Sequence, residues 1–216
     1  MRFLSLSTAL VGASLLLCSL AFSQTTTQTA APAASPAPQP PPLVGALASH
    51  PDWPKANPDD VKSVDALMAA LYDVISGPAG QPRNWDRFRS LFLPTGRLGV
   101  IRPARAATQT PTAQPAHEDD VVFLAPDDYV QRDDPYFRTH GFSEHAIANR
   151  VEQFGSLISV WSTYESRHNA TDPKPFARGI NSLQVVHIHG RYWIASILWD
   201  EERPGLTLPA KYLNSK

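Results

Sequence analysis

Val61, Val64, Met68, Leu71 and Ile75 recur at three- and four-residue steps along an otherwise mixed stretch of chain. That spacing gathers them on one face of a helix running from Val61 to Ser76. Just ahead, Asn57-Pro58-Asp59-Asp60 offers a capping side chain, a proline for the first turn and two acids for the positive helix end. Gly77-Pro78 stops the pattern. A second, shorter helix is predicted from Asn84, with Trp85, Phe88, Leu91 and Phe92 as its apolar stripe. Arg97 to Ile101 and Val121 to Leu124 read as short strands, and Pro126-Asp127-Asp128 opens a third helix that ends before Pro135. The 19 residues from 102 to 120 are either a lid or a disordered insertion, and the lack of a large apolar anchor favours disorder.

The C-terminal half changes character. Leu157 to Arg167, Gly179 to Ile188 and Arg191 to Glu201 are rich in β-branched and aromatic residues and are predicted strands. Ser143 to Phe154 is ambiguous: Ile147, Val151 and Phe154 fit a helix, while Phe142 to Val151 also fits a strand turning back at Phe154-Gly155. A two-residue turn at His189-Gly190 would set residue 188 opposite 191. Carried down the hairpin, that register puts Ile180, Ser182, Gln184 and Val186 on one face with Trp193, Ala195, Ile197 and Trp199. Asn181, Leu183 and Val185 then share the other face with Ile194, Ser196, Leu198 and Asp200. Both faces are largely apolar, whereas an antiparallel sheet with one wet face alternates more cleanly. Helices can cover one face. The other calls for a second copy, which predicts a homodimer packed sheet to sheet.

Composition sets the compartment and removes some partners. Arg2, the apolar run Leu10 to Leu20 and the small residues of Ala21-Phe22-Ser23 read as a secretory signal over residues 1–23, cleaved before Gln24. The run falls short of the roughly 20 residues of a permanent membrane span. A secreted or periplasmic location follows as the expectation. Cleavage would remove Cys18, the single cysteine, and with it any disulfide, thiol nucleophile or thiolate metal ligand. Gln24 to Pro42 is uncharged and rich in proline, so residues 24–56 read as a disordered spacer and residues 57–213 as one domain. The net charge is −1 and dispersed, with no basic stripe for nucleic acid.

Two or three helices followed by a curved antiparallel meander is the layout of the nuclear transport factor 2-like, or SnoaL-like, superfamily. The chain resembles that group in the helix Val61 to Ser76 leading into Trp85-Asp86-Arg87-Phe88, in VWSTYESR (160–167), and in ARGINSLQVVHIHGRYWIASILWDEE (177–202). The resemblance implies an α+β fold, a cystatin-like roll in which helices and a concave sheet enclose a conical pocket. Dimers through the sheet are also implied. The superfamily spans isomerases, dehydratases, cyclases, binders and assembly modules, so the activity stays open.

On the register above, Asn181, Ser196 and Asp200 form the strongest polar set, and with Tyr164 they are the candidate ligand-binding residues. Burial of Asp200 at a strand end would make it a general acid or base. Tyr72 on the first helix is the second catalytic candidate, as a phenolic donor of the kind the isomerase branch would use. Glu165 and Arg167 share a strand face and read as an ion pair, and Arg178 falls opposite Glu201 as a structural partner. His187-x-His189 has a spacing metals use, but no third ligand is near and solvated histidines are the simpler reading. Neither a nucleophile elbow nor a phosphate loop nor a zinc-protease helix is present, so neither cofactor nor metal is expected. The leading expectation is an exported protein that binds a small, mostly apolar molecule. The alternatives are a cofactor-independent isomerase or dehydratase with a carboxylate in the cone, and a dimeric assembly module.

Overall fold

The computed structural model describes residues 43–104 and 118–214. The chain divides into two units, Met1–Pro40 and Pro41–Lys216, and every described residue lies in the second. The signal segment and most of the 102–120 insertion thus lie outside the described residues.

Among the described residues, three helices precede or interrupt a sheet of six strands. Helix α1 (Val64–Ile75) is shorter than the apolar pattern suggests, because Pro58–Asp60 forms a separate 3-10 turn. Asn57 caps that turn by accepting from Asp59 N, while Ser63 caps α1 by accepting from Ala66 N. Helix α2 (Trp85–Leu91) starts where its cap Asn84 predicts. Arg87 of α2 binds both oxygens of Asp60 and reaches Asp73, tying the turn, α1 and α2 together. Helix α3 (Pro126–Phe137) runs through Pro135 instead of ending before it. Tertiary packing explains the overrun: Phe137 is buried and stacks on Trp85, whose indole N–H donates to Asp134 at 2.8 Å.

The strands are β1 (Phe92–Arg102), β2 (Asp120–Leu124), β3 (Ser143–Phe154), β4 (Leu157–Arg167), β5 (Ala177–Ile188) and β6 (Arg191–Glu201). They lie in the order β2-β1-β6-β5-β4-β3. The sheet is mixed, since β1 runs parallel to β6 while the other neighbours are antiparallel. The ambiguous segment is therefore strand throughout. Its helix-like spacing is overridden by pairing with β4 across Phe154 and Leu157. His189 and Gly190 both have positive φ and form the two-residue turn that sets Ile188 opposite Arg191.

The expected register holds only for the first third of that hairpin. Val185 faces Ile194, but Gln184 faces Ser196, so Ala195 is a bulge. Beyond it every side chain of β6 changes face. Ile197, Trp199 and Glu201 join Asn181, Leu183, Val185 and Ile194 on the concave side, whereas Ser196, Leu198 and Asp200 turn to the convex side. Strand β3 has the same device at Ile147: Ala148 pairs with Thr163 and Ala146 with Tyr164, so Glu144, and not His145, shares the inner face with Tyr164 and Ser166. The inner core then packs Leu67, Met68 and Leu71 of α1, and Phe88 of α2, against Ile158, Val160, Leu183 and Ile194.

The convex face, for which a second copy was the expected cover, is partly closed by the chain itself. Residues 203–213 fold back over β4 and β5, where Tyr212 stacks on Trp161 at 5.3 Å and its carbonyl accepts from Thr163 Oγ1 at 2.6 Å. Upstream, Trp53 Nε1 donates to Phe92 O at 3.0 Å, and Ala56 touches the core.

Ile194 is completely buried beside the β6 bulge. Ile194→Ala is expected to lower stability by about 3 kcal/mol, through lost transfer energy and the void left behind. Urea unfolding followed by tryptophan fluorescence measures it.

Candidate functional site

The hollow of the sheet contains a cavity of about 200 Å³ beneath α3 and against α1 and α2. Leu71, Ile75, Phe88, Phe137, Phe142 and Ile197 supply apolar wall. The polar lining is Tyr164, Ser166, Asn181, Glu144 and Glu201, with Tyr129, Arg132 and Asp133 contributed by α3. Each reaches the hollow for a local reason. Tyr164 and Ser166 alternate inward along β4, and Asn181 does so along β5. The two bulges aim Glu144 and Glu201 the same way.

Gly179 explains how a phenol fits among these strands. It pairs with Tyr164, and a Cβ built there would lie 2.7 Å from the Tyr164 hydroxyl and collide with the Asp200 carbonyl. Only glycine leaves room for the ring.

A chain of buried hydrogen bonds forms the floor. Tyr72 OH and Ser162 Oγ are 2.6 Å apart, and Asn181 Nδ2 donates to Tyr72 OH at 3.1 Å. The Asn181 side chain also bonds Glu144, which accepts from Ser166 Oγ at 2.6 Å. Burial pushes the Glu144 carboxyl up from 4.5 to about 7, and the nearby Glu201 charge adds to the rise while Ser166 and Asn181 oppose it. Burial likewise raises the Glu201 carboxyl, with Asp200 contributing. Tyr72, Tyr129 and Tyr164 are all held well above the usual phenol value by burial, so they stay neutral donors. Tyr164 is only 3% exposed. No hydrogen bond engages its hydroxyl or that of Tyr129 among the described residues.

The candidate residues thus separate. Tyr164 and Asn181 line the cavity. Tyr72 lies behind it, with its hydroxyl already engaged by Ser162 and Asn181. Ser196 and Asp200 sit on the opposite face of the sheet, where Asp200 is bonded to Arg203 at 2.5 Å and borders a slot under the C-terminal segment. Glu201, one residue on, occupies the place expected for Asp200. Arg178 accordingly pairs with Glu165 and Glu202, not Glu201, and Glu165 holds Arg167 at 2.7 Å. His187 stacks on the ring of Tyr192. Among the described residues no three His, Cys, Asp or Glu side chains converge as metal ligands.

Glu144 is the residue that pattern reading missed. Its signal was the strand alternative for Ser143 to Phe154, which puts it near Ser166. An unbroken ladder from Phe154-Leu157 would have pointed His145 inward instead.

The helices packed in the hollow of a curved sheet have the nuclear transport factor 2-like, cystatin-like layout. Among solved structures, the chain is similar to a Nostoc punctiforme protein of unknown function with a cystatin-like fold, at 11% identity and a TM-score of 0.47. That match covers 66% of this chain and 92% of the other. It is also similar to a Novosphingobium aromaticivorans protein provisionally described as the beta subunit of an aromatic-ring-hydroxylating dioxygenase, at 11% identity and TM-score 0.43. There the coverage is 67% of this chain and 86% of the other. A third is an NTF2-like protein of unknown function from Shewanella baltica, at 7% identity and TM-score 0.38, covering 65% and 98%. No family model matches the chain, and neither does any curated protein sequence.

The raised Glu144 carboxyl makes stability depend on pH. Folded protein keeps this proton after the unfolded chain has released it, so its stabilising share is complete below 4.5 and is lost as pH rises through about 7. Relative to Glu144→Gln, which is neutral throughout, the native protein should lose on the order of 3 kcal/mol between about pH 4 and about pH 8. Urea midpoints at the two pH values read the difference.

Proposed function

We propose that this protein binds a small, mostly apolar molecule in the hollow between its helices and sheet, and that it does so outside the cytoplasm. The carrying observation is a largely apolar cavity in the hollow into which a few polar groups converge, with no hydrogen bond to the Tyr164 or Tyr129 hydroxyl among the described residues. Size restricts the ligand. A dry cavity of roughly 150 Å³ holds benzene, so about 200 Å³ admits a single ring with a short substituent. The export half of the reading rests on the leader-like N-terminus, and the N-terminal residue of protein recovered from the medium or periplasm tests it.

Binding is tested with phenol, toluene and indole in a thermal-shift assay, since a ligand that binds only the folded state raises its midpoint. At least one should raise it by a few degrees. Ile197→Trp, which fills the hollow, should abolish that shift, and Asp200→Asn on the far face should leave it intact. If none of the three moves the midpoint of the native protein, the reading is wrong.

A second reading is acid–base catalysis of the isomerase or dehydratase type, favoured by one observation. A carboxyl at about 7 inside an apolar hollow is poised to take and return a proton near neutrality. The acid–base residue on this reading is Glu144, in place of Asp200. Turnover of any molecule that co-purifies should fall at least about a hundredfold in Glu144→Gln. Unchanged turnover leaves binding alone.

Sheet-to-sheet dimerisation remains the third reading. Trp161, 42% exposed, and Leu157, 54% exposed, support it, while the C-terminal segment competes for the same face. Light scattering at micromolar concentration, on the full chain and on a chain ending at residue 202, should show the dimer strengthened in the shorter chain. Monomer in both removes this reading.

A further inference from the structure

The charge around the hollow is unbalanced. Glu144, Glu201 and Asp133 line it, against one cation, Arg132. That cation is already committed: Arg132 Nε and Nη2 hold the two oxygens of Asp133 at 3.0 and 2.7 Å. Other nearby guanidiniums are committed as well. Arg83 is spent on the backbone carbonyls of Ile75, Gly77 and Gln81, and Arg203 on Asp200 and the Glu201 carbonyl. Among the described residues neither the Glu144 nor the Glu201 carboxyl forms an ion pair with a Lys or Arg, although the Arg203 charge is near enough to act on Glu201. Two carboxylates therefore face one cavity with no cation between them.

The remaining lining suits the missing charge. Tyr129, Phe137, Phe142 and Trp199 put aromatic rings around the hollow; Arg132 and Arg83 already lie over Tyr129 and Phe137, at 5.6 and 5.1 Å, while among the described residues no Lys or Arg covers Phe142 or Trp199. Ring faces attract cations, most strongly where water is excluded. The free hydroxyls of Tyr129 and Tyr164 can each accept a hydrogen bond through oxygen, as an ammonium group requires. An anion in this place would face two like charges, and a neutral molecule would leave a desolvated carboxylate unpaired.

Resting on the proposal that the hollow is a binding site, we infer that it selects a small organic cation, a protonated amine carried on a single ring. Glu144 is the counter-ion in the interior and Glu201 the one at the solvent-facing rim. The aromatic rings enclose the apolar part, and discrimination comes from what the site does to the wrong charge as much as from what it offers the right one.

Three probes of one shape separate the charges: benzylamine, benzyl alcohol and benzoate, titrated calorimetrically into the full chain at about pH 8. Benzylamine should bind at least about tenfold more tightly than benzyl alcohol, the expected share of one charge-assisted contact, with benzoate weakest. In Glu144→Gln the preference for benzylamine over benzyl alcohol should largely vanish. In Glu201→Gln the preference should shrink by less. Benzyl alcohol or benzoate binding as well as benzylamine overturns the cation selectivity and leaves the binding site standing. If none of the three binds, both fall. The comparison of probes on the native chain decides the matter even where a variant folds poorly.

Discussion

A strand shows its side chains alternately to the two faces of its sheet, so one extra residue exchanges the faces for everything beyond it. This protein uses that constraint twice. The bulge at Ala195 turns Glu201 and Trp199 into the hollow and sends Asp200 and Leu198 outward. The bulge at Ile147 turns Glu144 inward and leaves His145 exposed. Glu144 and Glu201 face the cavity because of these two residues, while its third acid, Asp133, comes from α3. With two unbroken ladders, the same sequence would present His145 and Asp200 in place of the two glutamates.

Putting a carboxyl into an apolar hollow requires compensation, and the floor network supplies it. Ser162, Tyr72, Asn181, Glu144 and Ser166 form a continuous set in which each polar group has a partner. Such a network fixes the rotamers of its members, because a change in any one leaves a neighbour unsatisfied in a medium that punishes it. The phenol of Tyr72 is consumed in this role. Among the described residues those of Tyr164 and Tyr129 are not engaged, and both line the cavity.

The two faces of the sheet solve the same problem differently. The concave face buries its apolar residues under three helices. The convex face meets a strap of irregular chain, in which Tyr212 covers Trp161 and Glu202 accepts from Leu208 N at 2.7 Å. A strap held by few contacts opens more readily than a packed helix.

Much of this was legible in the sequence because its causes are local. Helical periodicity, the cap at Asn84, the His189-Gly190 turn and the β-rich C-terminal half depend on neighbours a few residues apart. The layout follows from them, and with it the inward placement of Tyr164 and Asn181. What the sequence alone did not determine was parity. Nothing in Ala-Ser-Ile or Ala-Ile-Ala marks a bulge, because a bulge is chosen by how two distant strands fit the curvature of the whole sheet. The same global fit carried α3 past Pro135, brought Ala56 onto the core and laid residues 203–213 over the convex face. Local chemistry wrote the elements. Only their packing into one curved sheet decided which carboxylates look inward.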